Sequence, residues 1–337
     1  MGGLTWPYVV KRFVMLLLTI WLGVSFIFII PRLAPGDPVT AMVVRMLMTD
    51  GYIENAQEII ESWKERFGLN DPLAVQYLAF MRNVIVMDFG YSLAHFPTRT
   101  WDIVGPALPW SIGLLAVASI FSFLIGNGIG ALMGWNKTPK ALKSVLPFSL
   151  IFTAIPFFMF GILLVYIFAF QLRVLPASGG YGRGVVPGWD WRFIQSVLRH
   201  GLLPVASIIL TASGGWALGM RGLMITNNSE DHFLLAQAKG LKPGRVFLRY
   251  GVRNAIMPSL TAFALGLGGL IGGSTLVEFI FAYPGIGFTM YQAITTQDYP
   301  VMQAIGTLMI SVTALGVFLI DLLYPLLDPR VTFKKNR

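Results

Sequence analysis

Acid–base or metal chemistry at neutral pH would start from histidine, and the chain's three, His95, His200 and His232, fall in separate predicted segments. No His-Glu-x-x-His pattern sets two imidazoles one helical turn apart, so the sequence supports neither a zinc site, a Ser-His-Asp arrangement nor an intramembrane protease. There is no cysteine, which removes disulfides, thiolate chemistry and Cys-type zinc sites. Gly134-Trp135-Asn136-Lys137-Thr138 approaches a phosphate-binding loop but lacks the glycine immediately before the lysine. Gly126-x-Gly128-x-Gly130 and the run Gly266, Gly268, Gly269, Gly272, Gly273 could be mistaken for dinucleotide loops. Both lie in apolar windows, where small residues let helices approach closely, and Gly268-x-x-x-Gly272 and Gly269-x-x-x-Gly273 match that spacing. The same run, with Glu278, could instead shape a translocation path. Glu278 and Asp321 sit at the ends of apolar windows, where a carboxylate is costly; snorkelling or a structural hydrogen bond accounts for them without a substrate. No catalytic residue and no metal ligand emerges.

What must position these residues is read from composition. Of 337 residues 55% are hydrophobic and only 12% charged, with a mean hydropathy of +0.68, too few charges to cover a water-soluble surface. Charge-free windows run over 13–30, 103–136, 144–172, 201–220, 254–277 and 299–320. A span needs about 20 apolar residues at about 1.5 Å rise each, so each window holds one helix. The two longest contain prolines (Pro106 and Pro109; Pro147 and Pro156) and read as loop plus helix. The windows do not alternate apolar and polar residues, which rules out a barrel. The expected fold is an all-α membrane protein with six transmembrane helices, near Val10–Ile30, Ser111–Met133, Val145–Gln171, Leu202–Ile225, Ile256–Val277 and Met302–Leu323. Lys11 and Arg12 precede the first window without a small-residue cleavage site after it, so that window reads as an uncleaved signal anchor.

The net charge of +9 raises a nucleic-acid partner, but its distribution argues for a bilayer. With the N-terminus cytoplasmic, that side collects 15 of the 25 lysines and arginines against three acids, Glu230, Asp231 and Asp328. This is the positive-inside asymmetry, and it places both termini in the cytoplasm. The basic stretch from Arg173 to Arg199 is the exception, since it falls outside.

The chain divides into residues 1–31 with the first span, an external segment 32–101, spans two to six over 102–327 and a basic tail 328–337. In the external segment Ile53, Ala56, Ile59, Ile60, Trp63 and Phe67 recur at helical spacing. A second helix start follows at Asn70-Asp71-Pro72, with Asp71 as N-cap and Pro72 first in the helix. These predict a small helical subdomain, a lid over the helix ends or a ligand-contact surface.

The most polar internal stretch, 226–254, joins spans four and five on the cytoplasmic side. Phe233 to Ala238 form a short helix, Gly240 permits a sharp exit turn, and Pro243 with Gly244 stops it. Such a helix lies along the membrane face and presents itself to a cytoplasmic partner, or is simply interfacial.

Ala236-Gln237-Ala238-Lys239-Gly240-Leu241, followed by Arg253-Asn254-Ala255-Ile256-Met257-Pro258, resembles the EAA loop of ATP-binding-cassette importer permeases in the form of the dipeptide/oligopeptide group. Four further pieces carry the resemblance in order: Pro35-Gly36-Asp37-Pro38, Phe67-Gly68-Leu69-Asn70-Asp71-Pro72-Leu73, Tyr283-Pro284-Gly285-Ile286-Gly287 with Asp298-Tyr299-Pro300-Val301, and Asp321-Leu322-Leu323-Tyr324 with Leu327-Asp328-Pro329-Arg330. The resemblance implies a permease core over 102–327 and an ATPase-coupling helix carrying Leu234, Leu235, Ala236, Gln237, Ala238, Lys239, Gly240 and Leu241. It also implies partners: a second homologous permease, two cytoplasmic ATPases that bind ATP and Mg, an extracytoplasmic substrate-binding protein, and the lipid bilayer of the cell membrane. No cofactor is expected in this chain. Two positions depart from the group: Leu234 stands near the place of the acidic residue that names the loop, and Gln237 stands where the group carries arginine. Docking should survive both, with altered charge pairing. Cargo stays open among oligopeptides, oligosaccharides and nickel. A secondary transporter, which should show inverted repeats and mid-membrane charges, and a membrane receptor or scaffold are the readings from other classes.

Overall fold

The computed structural model describes residues 6–33, 39–40, 42–44, 56–66, 68–139, 144–267 and 275–327. Its regular structure there is helical, apart from one isolated antiparallel bridge between Tyr91 and Arg99. The helices are α1 (Trp6–Leu33), α2 (Ala56–Arg66), α3 (Leu73–Val86), α4 (Thr100–Gly134), α5 (Val145–Ala154), α6 (Phe157–Leu164), α7 (Trp191–Asn227), α8 (Asp231–Ala238), α9 (Arg253–Leu267), α10 (Thr275–Ile280), α11 (Ile286–Thr295) and α12 (Tyr299–Leu327). Four stretches are long and apolar enough to cross a bilayer: Trp6–Ile30, Thr100–Gly134, Trp191–Asn227 and Tyr299–Leu322. The bent pair α5–α6 makes a fifth if it counts as one span. The chain is therefore an all-helical, multi-pass membrane protein.

Several local expectations need correction. Pro106 and Pro109 lie inside one continuous helix rather than in a preceding loop. The carbonyls they leave without an i+4 donor, those of Asp102 and Gly105, fall in the first two turns of α4, close to a helix end. The third span is not one straight helix: α5 and α6 meet at 101°. Ile155, forced out of the helical region by the following Pro156, is extended at φ −87°, ψ 123°, and α6 runs on as a π-helical segment, Val165–Gln171. The fourth span begins well before Leu202, because Asp190 caps it, its carboxylate accepting from the Phe193 amide at 3.3 Å. At α3, Pro72 and not Asp71 occupies the cap position, and no side chain caps it.

The described residues separate into two compact units, 1–109 with 285–337, and 110–284. In the first, α1 lies along α12. Val24 and Phe28 of α1, Phe80 of α3, Phe89, Val104 and Ile305 form one buried core. The polar segment after the first span is thus packed in the same unit as the first and last helices. Asp321 is not left to snorkel: Arg12 Nη1 reaches its Oδ2 at 3.0 Å, and the Tyr8 hydroxyl donates to its backbone carbonyl at 2.8 Å. A carboxylate on an apolar helix is tolerable when paired in this way.

Asp298, just before α12, is 1% exposed. Its carboxylate accepts from the Leu93 amide (3.1 Å), the Ala94 amide (3.2 Å) and the Ser92 hydroxyl, so one side chain pins the loop after α3 to the start of the last span. Asp298→Ala leaves those donors buried and unmatched. The expected cost is at least about 3 kcal/mol, visible as a lowered Tm of the detergent-solubilised chain; an unchanged Tm contradicts this role.

In the second unit α7 is the central helix, packed by α5, α6 and α9. One face of α4 is a stripe of glycines against α7. A Cβ on Gly126 would lie 2.6 Å from the Ser213 carbonyl oxygen, on Gly130 2.3 Å from that of Ala217, and on Gly134 2.5 Å from Met224 Cβ. The two helices meet backbone to backbone because nothing protrudes between them. Gly128, on the other side of α4, meets nothing within 4 Å. The packing reading of the glycine pattern holds for Gly126 and Gly130, extends to Gly134 and drops Gly128.

Candidate functional site

The cytoplasmic-loop helix predicted from the sequence is α8, and its exit is a Schellman turn. The Leu241 amide donates to the Ala236 carbonyl (3.4 Å) and the Gly240 amide to that of Gln237 (2.9 Å), with Gly240 at φ +68°, a conformation that glycine adopts without a side-chain clash. Pro243 does more than stop α8: it opens the next turn, Pro243–Arg245. That turn continues as a π-helical segment, Val246–Val252, into α9.

The two faces of α8 differ sharply. Phe233 (0% exposed) and Ala236 (2%) point inward onto Val246 (2%), with Trp135, Leu241 and Tyr250 around them. The Trp135 ring is wedged edge-to-face between Phe233 (5.8 Å) and Phe247 (5.1 Å). Burying the Phe233 ring contributes about 1.5–3 kcal/mol to holding α8 down. On the other face Leu234 and Leu235 are 50% and 56% exposed, and Gln237, Ala238, Lys239 and Gly240 are exposed beside them. Lys242, Arg245 and Arg249 are exposed in the continuing chain. Of the eight residues expected on the coupling helix, six face outward; Ala236 is buried and Leu241 half-buried.

The platform under α8 is cross-tied. Asn227, ending α7, donates through Nδ2 to the carbonyls of Tyr250 (2.8 Å) and Gly251 (3.2 Å), and Asn228 donates to the carbonyl of Gly134 at the end of α4 (2.9 Å). His232 Nε2 meets Asn254 Nδ2 at 2.7 Å, tying the top of α8 to α9. α8 and the ends of α4, α7 and α9 are thus joined through rings and side-chain amides.

Trp135, Phe233, Asn227 and Asn228 were missed as site residues. Trp135 stands in the sequence only inside the failed phosphate-loop match. The signal that could have found Phe233 is its i, i+3 pairing with Ala236, whose burial leaves Leu234 and Leu235 on the opposite face; nothing local marks Asn227 or Asn228, whose partners are 23 to 94 residues away.

Glu278 is 0% exposed, so it does not snorkel. The Ser111 hydroxyl donates to its Oε1 at 2.6 Å, a hydrogen bond between α4 and α10. Nearby, Trp110, Tyr181, Phe193 and Tyr283 form an aromatic cluster with ring centroids 5.4–6.5 Å apart. Burial, with Glu278 as the lesser cause, raises the Tyr283 hydroxyl to about 12, so it stays protonated at neutral pH. Gly268, Gly269, Gly272 and Gly273 lie outside the described residues. So do Pro35-Gly36-Asp37-Pro38, Ile53, Phe67 and Asp328-Pro329-Arg330.

Residues 126–333 match the family described as binding-protein-dependent transport system inner membrane component, a range that includes α8 and its platform. An oligopeptide transport system permease protein of Bacillus subtilis is 32% identical over 97% of this chain and 99% of its own. One from Haemophilus influenzae is 30% identical over 97% and 99%, and a glutathione transport system permease protein of Salmonella paratyphi A is 30% identical over the same shares. With an all-helical membrane core, a helix presented on a cross-tied platform and a match over most of its length, the chain belongs to the family of inner-membrane permease components of binding-protein-dependent transport systems.

Proposed function

We propose that this chain is the permease subunit of an ATP-driven importer of short peptides, working by alternating access. The observation that carries the reading is the division of α8 into a buried face seated on the ends of the spans and an exposed face with Leu234, Leu235 and Lys239 outward. The exposed face fits a groove on a cytoplasmic ATPase. The partner set is a second related permease, two ATPases that hold ATP and Mg, and an extracytoplasmic binding protein. Six spans result if the bent pair α5–α6 is one span and α9 with α10 another; an even number puts both termini on one side, and the positive-inside charge asymmetry makes that side the cytoplasm. Peptide cargo is favoured over oligosaccharide or nickel because the relatives described above are named for oligopeptides and glutathione.

In this mechanism ATP draws the two ATPases together, α8 moves with its groove, and the ties through Trp135, Asn227 and Asn228 carry the motion to three spans. ATP biases the equilibrium only by binding the two states with different affinity. The reading is tested by peptide uptake into proteoliposomes holding the whole complex. Uptake should require ATP inside and the binding protein outside, and survive dissipation of ion gradients. Uptake that follows an ion gradient without ATP would assign a secondary transporter instead, and ligand-stimulated ATP hydrolysis without uptake a receptor.

A further inference from the structure

In the first unit, a cavity of about 910 Å³ lies beyond the end of α1's apolar run, walled by α2, α3, the loop after α3 and the start of α12. That volume is within the range of small-ligand sites, about 300–1,000 Å³. Arg32, at its inner wall, is half-buried and held in place: Nη1 donates to the Phe28 carbonyl (2.7 Å), Nη2 and Nε to Gln76 Oε1 (3.0 and 3.4 Å), and the guanidinium stacks on the Phe28 ring at 3.5 Å. Gln76 is itself locked, its amide donating to the carbonyls of Leu69 (3.0 Å) and Asp71 (2.8 Å). Three of Arg32's five N–H groups are used, and among the described residues no carboxylate lies within 4 Å of it. Its pKa is lowered, burial being the larger influence and Tyr299 a smaller opposing one. Among the described residues the other charged side chains on the cavity are Lys64 and Asp71, which with Arg32 makes two cations with one anion. Aromatic rings also line the cavity, with Trp63 edge-on to Phe96 at 4.6 Å and Tyr91 at 5.8 Å from Phe96.

We propose that this cavity is a receiving site for a short peptide, with the free C-terminal carboxylate on Arg32 and a side chain against Trp63 and Phe96. A guanidinium with two N–H groups to spare offers a carboxylate the paired hydrogen bonds that a neutral amide cannot match, and Asn83 and Gln303 on the lining supply partners for peptide backbone groups. The proposal rests on the importer reading for its cargo and for placing this end of α1 outside the membrane.

The test uses the assembled complex in lipid nanodiscs, without binding protein, and a tripeptide carrying benzoylphenylalanine at its middle position, as free acid and as C-terminal amide. Ultraviolet labelling of the free acid should map between Trp63 and Pro97, fall at least about ten-fold for the amide, fall as far in Arg32→Gln, and persist in part in Arg32→Lys. Equal labelling by acid and amide, labelling confined to other segments, or none overturns the proposal; the acid–amide comparison on the unaltered chain stands even if Arg32→Gln does not assemble. ATP-driven uptake by the same purified complex, reconstituted with the binding protein into proteoliposomes, separates the two ideas: uptake with no labelling defeats the receiving site alone, and labelling with no uptake defeats the importer reading alone.

Discussion

Replacing Phe233 by alanine is expected to cut ATP-driven uptake at least about ten-fold while the chain still reaches the membrane and binds its partners. The ring is fully buried between α8 and its platform, and truncating a buried Phe costs about 3–5 kcal/mol. The loss falls on one short helix, so α8 loosens without unfolding the spans. Its exposed face is untouched, so the ATPases should dock and hydrolyse ATP, and the ratio of peptide moved to ATP spent should collapse. Trp135→Ala removes the other half of the edge-to-face contact and should reproduce the defect, whereas Phe233→Leu keeps most of the apolar volume and should retain most uptake. Uptake and hydrolysis measured on one proteoliposome preparation decide it. If both fall together in the alanine variants and leucine does not rescue, Phe233 holds up the fold and not the coupling.

Gly130→Leu is expected to remove folded protein from the membrane almost entirely. A Cβ there would sit 2.3 Å from the Ala217 carbonyl oxygen, a backbone atom that no side-chain rotation can move aside, so α4 and α7 must part along their length. Overpacking a close contact costs about 1–3 kcal/mol where side chains can shift; here the backbone must. Gly128→Leu, two residues away with nothing within 4 Å of where its Cβ would lie, should change the melting temperature little. Thermal unfolding of the two solubilised variants side by side makes the comparison. Similar behaviour would mean the α4–α7 contact is not the tight one described.

How much of this was legible in sequence depends on range. The apolar windows announced helices because lipid leaves backbone groups no partner outside the chain, and α1, α4, α7 and α12 duly appear. The position of α8 and its turn at Gly240 were readable because they depend on neighbours within a few residues. The bend at Pro156 was not, since a proline in an apolar window permits either a break or a continuous helix, and the chain does one at Pro156 and the other at Pro106 and Pro109. The ties from Asn227 and Asn228 were invisible because their partners, Tyr250, Gly251 and Gly134, lie far along the chain. Asp298 is the same case: the sequence marked it through Asp298-Tyr299-Pro300-Val301, but its donors at residues 92–94 appear only in the fold.

The coupling role of α8 turns on which of its faces meets the ATPase, and the chain's lack of cysteine gives a clean background for single-cysteine crosslinking in the assembled complex. Cysteine placed at Leu234, Leu235 or Lys239 should capture an ATPase subunit, in a yield that changes when ATP is added, while cysteine at Phe233 or Ala236 should capture none. An ATPase that is never captured from the outward positions, or is captured as readily from the inward ones, contradicts the coupling role of α8.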